Sequence, residues 1–425
     1  MKKILLILSS VFIFTQILDA QNKVYFSKDS LRKDIAFLYE KIRELHPDPF
    51  MNTSHEAFIS FMDSISNNLK DNETKGTFYF KIASLVATIK DGHTTVLRPA
   101  FDSQRTLIEG NKIFPIDIHI QNGKFYAIYD NFHNDSITGE ILSINDIHIS
   151  KIAKPILNAC SFERDEDINY NTIERDFFLL LSELCTPDSI YKIKLTGEKP
   201  SLYITNGISA DKLKTLSRYT NIPEPYKLLI ENNSNVATIK FENFIPSEKI
   251  YNFIDSAFSV IQMKNIDTLY FDVRGNTGGS SDVVSKIISH LISQKYKIYD
   301  KYQVKISPFI KEYFQKRDAA IYNAISNMKT GTIYKIFPVF IKGDENIYKG
   351  KVVVLSNRRT YSGASTFAHL IKNLGIGKVV GEIGSNEVYF GDFTIISLPY
   401  SKISVAISIK KFYEWRSENP KKSRK

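Results

Sequence analysis

The chain has 425 residues, 43% of them hydrophobic and 24% charged, with a formal net charge of +10 and two cysteines. This is ordinary globular composition at a length for two or three domains. Two cysteines exclude a disulfide scaffold, and no zinc-type cysteine spacing is present.

The first residues, "MKKILLILSSVFIFTQILDAQN", carry two lysines, an apolar stretch and a small residue at Ala20. Residues 1–20 read as a secretory signal peptide cleaved near Ala20-Gln21, and the apolar stretch is short for an uncleaved bilayer span. No later segment is apolar enough to span a membrane, and no cysteine near the cleavage site offers a lipid attachment point. The expectation is an exported protein, periplasmic or extracellular, with no stable membrane span after cleavage. Cys160 and Cys185 leave two readings open: one bridge in an oxidising compartment, or two buried thiols.

Residues 21–100 read as a helical region. Leu31, Ile35, Leu38, Ile42 and Leu45 recur at helical spacing and stop before Pro47. "HEAFISFMDSISNNL" and "GTFYFKIASLVATIK" repeat the pattern, and the region ends in "KDGHTTVL". Residues 101–200 then turn β-rich. "IFPIDIHIQNGKFYAIYDN" alternates around Asn122-Gly123, a hairpin signal, and "ITGEILSINDIHISKIAKPIL" reads as strand, turn, strand, helix. This order resembles a PDZ-like module, which would bind a peptide by strand addition; a β-rich domain without a ligand is the other reading. Residues 201–234 are polar and contain proline, so they read as a linker.

From 235 to 415 strands and helices alternate. "NVATIKFENF", "IDTLYFDVRGN", "GKVVVLSNRRTYS" and "GKVVGEIG" read as strands, with helices between them in "KIYNFIDSAFSVIQMKN", "SSDVVSKIISHLIS" and "GASTFAHLIKNLG". Gly375 reads as the C-cap of the last of these helices. Two further strands follow in "FTIISLPYSKISVAISIKKFY". The alternation predicts an α/β layered domain with a mostly parallel sheet. From Lys410 onward seven basic residues (Lys410, Lys411, Arg416, Lys421, Lys422, Arg424, Lys425) face only Glu414 and Glu418. About half the excess charge therefore sits at one end, and residues 416–425 read as a solvated tail rather than a nucleic-acid face.

Three segments end an element, where functional groups tend to lie. In "YFDVRGNTGGSSD", 270–282, a buried strand runs into three glycines and a helix start, so backbone N–H groups could form an oxyanion or anion site. It could equally be a tight turn in which Asp272 and Arg274 pair. It has neither the Walker lysine nor a clean Gly-x-Gly-x-x-Gly. In "RRTYSGASTFAHL", Ser362 stands at a strand-to-helix turn with the Gly363 N–H next to it. It is either a nucleophile or a helix N-cap, and it lacks the Gly-x-Ser-x-Gly of an α/β-hydrolase elbow. In "DGHTTV", 91–96, His93 stands beside a glycine at an element end. His369 is seven residues past Ser362, about 10 Å along a helix, which makes it a poor base for that serine.

Together these segments resemble the tail-specific, or C-terminal processing, serine protease family, which includes the core of the tricorn protease. "DGHT", "FDVRGNTGG" and "TYSGAS" followed by "VVGE" match its motifs in chain order, over roughly residues 28–415. The resemblance implies an α/β fold: a ClpP/crotonase-like protease core with an N-terminal helical region and a PDZ-like module. It implies a serine endopeptidase acting on peptides or proteins, possibly through their C-termini, with no metal or organic cofactor. One design in the family uses a lysine about 25 residues after the serine; that position is Glu387 here, and Lys378 comes too early. The tricorn-like design uses a histidine, and His93 fits it as general base. By resemblance Ser362 is the nucleophile, Gly278 and Gly363 are the oxyanion donors, and Glu414 is the third catalytic residue. Glu414 lies six residues before Pro420, with Glu418 or no carboxylate as rivals, because the family's Gly-Val-x-Pro-Asp has been lost around it. A non-catalytic binder of peptides or apolar ligands on the same fold is the alternative, and an acyl-CoA-type enzyme is a weaker one.

Overall fold

The structure is a computed structural model that describes residues 25–98, 112–163, 170–185, 188–197, 201–216, 224–231, 234–384 and 388–416. The expected leader, most of the basic tail with Glu418, and Glu387 lie outside them. The chain divides into two compact units interleaved in sequence. The first takes the chain up to Ile42, Pro49–Ile222 and Thr394–Ile407; the second takes Arg43–Asp48, Pro223–Phe393 and the chain from Ser408 on.

In the first unit, helices Lys28–Leu45, His55–Asn67 and Lys75–Ala87 form as the periodicity requires. Leu31, Ile35, Leu38 and Ile42 are all buried on one face. Ser54 and Thr74 cap the second and third helices through their side chains. The β-rich part is an antiparallel sheet in the order Ile116–Gln121, Lys124–Asp130, Asp135–Ile144, Ile190–Leu195, Ser201–Asn206, with Ile147–His148 beside the third strand. Asn122 and Gly123 both have positive φ, so the first hairpin turns where the Asn-Gly pair demands. The helical region and this sheet fall in one compact unit. The physical cause is the helix Lys75–Ala87, which is apolar on most sides and packs on helices Ile149–Asn158 and Tyr170–Leu184. Cys160 and Cys185 are unbridged, and burial pushes the Cys160 thiol up to about 11.

In the second unit, the sheet order is Tyr226–Ile230, Val236–Phe241, Thr268–Asp272, Lys351–Leu355, Lys378–Val380. Every pair is parallel except the first. Helices Glu248–Met263, Ser281–Ser289 and Gly363–Asn373 cover it and share one apolar core with it. The stretch 201–234, expected as a linker, contains two strands. Ser201–Asn206 is the last strand of the first sheet, and Tyr226–Ile230 is the edge strand of the second. Edge strands bury little, and Leu202, Ile204 and Leu229 are exposed, so their patterning is weak. Residues 299–336, which the sequence patterning does not assign, contain helices Pro308–Gln315 and Ala319–Ile325. Their strands, Tyr299–Lys305 and Ile333–Ile336, belong to a further sheet with Ser404–Glu414.

Candidate active site

Two of the three motif segments meet because their strands are neighbours in register. Thr268–Asp272 and Lys351–Leu355 run parallel, with Phe271 opposite Val354 and Asp272 opposite Leu355. The loops leaving them therefore emerge side by side at the carboxyl edge of the sheet, where open α/β folds place their sites. Polar groups stitch the two loops together. Thr360 Oγ1 donates to the Val273 carbonyl at 2.8 Å, the Gly275 N–H donates to Asn357 Oδ1 at 3.1 Å, and the Tyr361 N–H donates to the Asn276 carbonyl at 2.9 Å.

Ser362 stands at the junction of its loop with helix Gly363–Asn373. Its backbone has φ 52° and ψ −128°, and its side chain makes no capping hydrogen bond. It is therefore not an N-cap of the usual kind, whose backbone is extended and whose oxygen accepts from the first turn. A serine at positive φ costs about 1–3 kcal/mol and persists where its surroundings over-determine it, as the stitching of the loop does. A strained strand-to-helix turn is also where a nucleophilic serine belongs, despite the missing Gly-x-Ser-x-Gly.

The glycines of the other loop lie against this serine. A Cβ on Gly278, at φ 95°, would meet Ser362 Cβ at 2.6 Å, the Tyr361 oxygen at 2.7 Å and the Gly363 nitrogen at 2.8 Å. A Cβ on Gly363 would meet the Gly279 oxygen at 2.8 Å. Only two glycines facing one another permit this approach. The Gly278 N–H donates to Asn276 Oδ1 at 2.8 Å, so it already has an acceptor. Asn276, fully buried, also donates through Nδ2 to the Phe241 carbonyl at 3.1 Å. Ser362, Gly363, Gly279, Tyr299, Tyr389 and Lys410 help to line a cavity of about 440 Å³.

Glu414 ends the strand Ser404–Glu414 and is buried. Its Oε1 accepts the hydroxyl of Thr366 at 2.8 Å, one helical turn past Ser362, and Tyr389 Oη lies 2.7 Å from the same hydroxyl. Burial raises the pKa of Tyr389, with Tyr299 and the Glu414 carboxylate adding to it; burial and then Glu414 raise that of Tyr299. Both phenols are therefore held protonated as donors. His93 belongs to the first unit, where its N–H donates to Asp91 Oδ1 at 2.9 Å. Its side chain is mostly buried.

Residues 235–419 match the family model of peptidase family S41. The chain carries a peptidase family S41 domain. The activity class of this domain is serine-type peptide hydrolysis. Among solved structures, mature CPAF is similar at 11% identity, covering 90% of this chain and 89% of that chain, with a TM-score of 0.59. A serine-to-alanine mutant of CPAF is similar at 11% identity, over 92% and 91%, with a TM-score of 0.63. Mature CPAF complexed with lactacystin is similar at 12% identity, over 90% of each chain, with a TM-score of 0.56. At these identities the likeness is one of fold. No curated protein matches the chain.

Lys410 lines the cavity with Ser362, and its Nζ donates to Asp392 Oδ2 at 2.6 Å. Burial pulls the Lys410 pKa down, but Asp392 and the nearby tyrosines outweigh it and hold the ammonium above its ordinary value. A protonated ammonium has no lone pair to accept a proton, so this direction disfavours Lys410 as a base for serine. Sequence reasoning gave no role to Asn276, Thr360 or Thr366. Asn276 had a signal, an Asn between glycines at a strand end. Thr366 had none, because its partner lies 48 residues away on another element.

Proposed function

We propose that the chain is an exported serine endopeptidase with Ser362 as nucleophile and His93 as general base. Ser362 Oγ attacks the peptide carbonyl carbon while the imidazole takes its proton and later returns it to the leaving amine. Glu414 is the carboxylate of the triad. The backbone amides of Gly363 and Gly278 hold the oxyanion. For Gly278 this means exchanging Asn276 Oδ1 for a charged acceptor, which makes the stronger bond. The substrates are peptides or proteins, with the PDZ-like part of the first unit presenting their C-terminal ends. The N-terminal sequence directs the protein to a periplasmic or extracellular location, and among the described residues no helix is long and apolar enough to cross a membrane.

The observation that carries this reading is the backbone of Ser362: strained, uncapped, and in contact with two glycines beside a cavity. A fluorophosphonate probe tests it. Wild-type protein should label, Ser362→Ala should not, and His93→Ala should label at least ~100-fold more slowly, the usual scale of general-base assistance. A wild-type protein that never labels would favour the non-catalytic binder.

A further inference from the structure

The turn that closes the N-terminal helices gathers two carboxylates around His93. Asp91 is fully buried, and its Oδ1, which accepts the His93 N–H, lies 3.9 Å from His93 Nδ1. Glu163 reaches the same turn from beyond the helix Ile149–Asn158, and its Oε1 accepts the Gly92 N–H at 3.4 Å. One donor atom from each of Asp91, His93 and Glu163 lies within 4.8 Å of the other two. This differs from a patch of surface acids. The backbone amides of Gly92 and His93 orient the two carboxylates, and one of the two is wholly removed from water. Like charges so placed repel, and a bound dication offsets that repulsion.

We propose that Asp91, His93 and Glu163 form a binding site for a divalent first-row transition ion of the Zn²⁺ class, with water completing the coordination. The donor set decides the class: an imidazole nitrogen suits zinc and its neighbours, whereas calcium and magnesium take oxygen alone. Three protein ligands and an open position are usual for such ions. Ligand atoms at about 2.0–2.2 Å from a tetrahedral ion lie roughly 3.5 Å apart, so the side chains need to close by about 1 Å. Occupancy takes a ring-nitrogen lone pair of His93. Where His93 serves Ser362, the ion holds the peptidase off. This second part rests on the proposed function; the binding of the ion does not.

The test uses the untagged full chain, stripped with a chelator and dialysed against Zn²⁺, with Co²⁺ absorption as the spectroscopic readout. Wild type should retain a single ion and give a Co²⁺ visible band. Glu163→Gln and Asp91→Asn should weaken retention at least about tenfold and lose the band, since even outer partners of a metal site contribute about that much. His290→Gln, which removes an imidazole paired with Asp255, should bind as wild type does. Glu163→Gln keeps the test sound if the buried Asp91 variant fails to fold. A wild type that retains no Zn²⁺, or a folded Glu163→Gln that retains it unchanged, overturns the site. In the second arm, Zn²⁺ should slow fluorophosphonate labelling of wild type but not of Glu163→Gln. Equal slowing of both overturns the inhibitory role. A protein that binds Zn²⁺ but never labels would instead sink the peptidase reading and leave the site standing.

Discussion

Ser362 could be nominated from sequence, but its two roles could not be separated there, because serine is favoured both as a cap and as a nucleophile at a strand-to-helix turn. The backbone departs from the capping role: φ 52° with no capping bond is a conformation glycine adopts more readily than serine. This gives a stability prediction independent of catalysis. Ser362→Gly should relieve about 1–3 kcal/mol of strain and lose about 0.5–1 kcal/mol to the freer unfolded chain. It should therefore be about 1 kcal/mol more stable than Ser362→Ala in urea unfolding, although neither would label. An alanine variant as stable as the glycine one would mean that the backbone carries no strain. The Asp272–Arg274 pair was also legible, as one of two readings of its motif, and here it is a bidentate ion pair, Nε to Oδ1 at 2.9 Å and Nη2 to Oδ2 at 2.8 Å. Burial pushes the Asp272 pKa up, but Arg274 outweighs it and holds the carboxyl below its ordinary value. A lowered folded pKa adds stability above the unfolded value of about 3.9, and that stability is lost as pH falls through the folded one. Arg274→Gln should therefore be less stable than wild type at about pH 7, with the gap closing towards about pH 3, as urea midpoints at the two pH values would show. A gap that stays constant with pH would assign the loss to something other than the carboxylate.

At the scale of elements, strong periodicity was readable and weak edges were not. The helix Lys28–Leu45, the Asn122-Gly123 hairpin and the strand Thr268–Asp272 follow from spacing, turn chemistry and an apolar run. The strands Ser201–Asn206 and Tyr226–Ile230 do not, because each lies at a sheet edge and exposes much of its apolar surface. Helix Tyr170–Leu184 carried a signal in Ile173, Phe177 and Leu181, all buried at helical spacing, but it lay within a stretch read as β-rich. The helix Gly363–Asn373 shows what patterning leaves out. Its periodicity identifies the helix, yet it is buried nearly all round, so Thr366 faces Glu414 and Tyr389 rather than solvent. Thr366→Val keeps the shape and removes the hydroxyl, leaving the buried Glu414 carboxylate without that donor. It should cost about 1–3 kcal/mol, while Thr366→Ser, which retains the donor, should cost less. Urea unfolding of the two variants checks this, and a neutral valine variant would show that the hydroxyl does not support Glu414.

At the scale of the whole molecule, the family resemblance ran along the chain in order, whereas the compact units do not. Segments distant in sequence share a unit, which no local pattern reveals. The second unit includes Arg43–Asp48, where His46 packs on Phe390 with ring centroids 4.4 Å apart and Asp48 accepts from Lys411 Nζ at 2.9 Å. The first unit includes Thr394–Ile407, where the Tyr400 and Ser401 N–H groups donate to the buried Asp34 at 2.8 and 2.7 Å, and Val405 pairs with Val96. A cut before Pro223 therefore does not release a complete unit. The fragment 223–425 would carry Leu398, Ile403, Val405 and Ile407, each fully buried in the intact chain, without the unit they belong to. At about 1.5–3 kcal/mol for each such side chain, the burial lost is about 6–12 kcal/mol, comparable with the whole stability of a typical domain. The fragment should be insoluble or melt without a cooperative transition, even though it contains the entire S41 match and Ser362. Thermal denaturation by circular dichroism would decide, because a fragment that melts cooperatively near the temperature of the intact chain would mean that the Thr394–Ile407 segment holds its structure without residues 25–222.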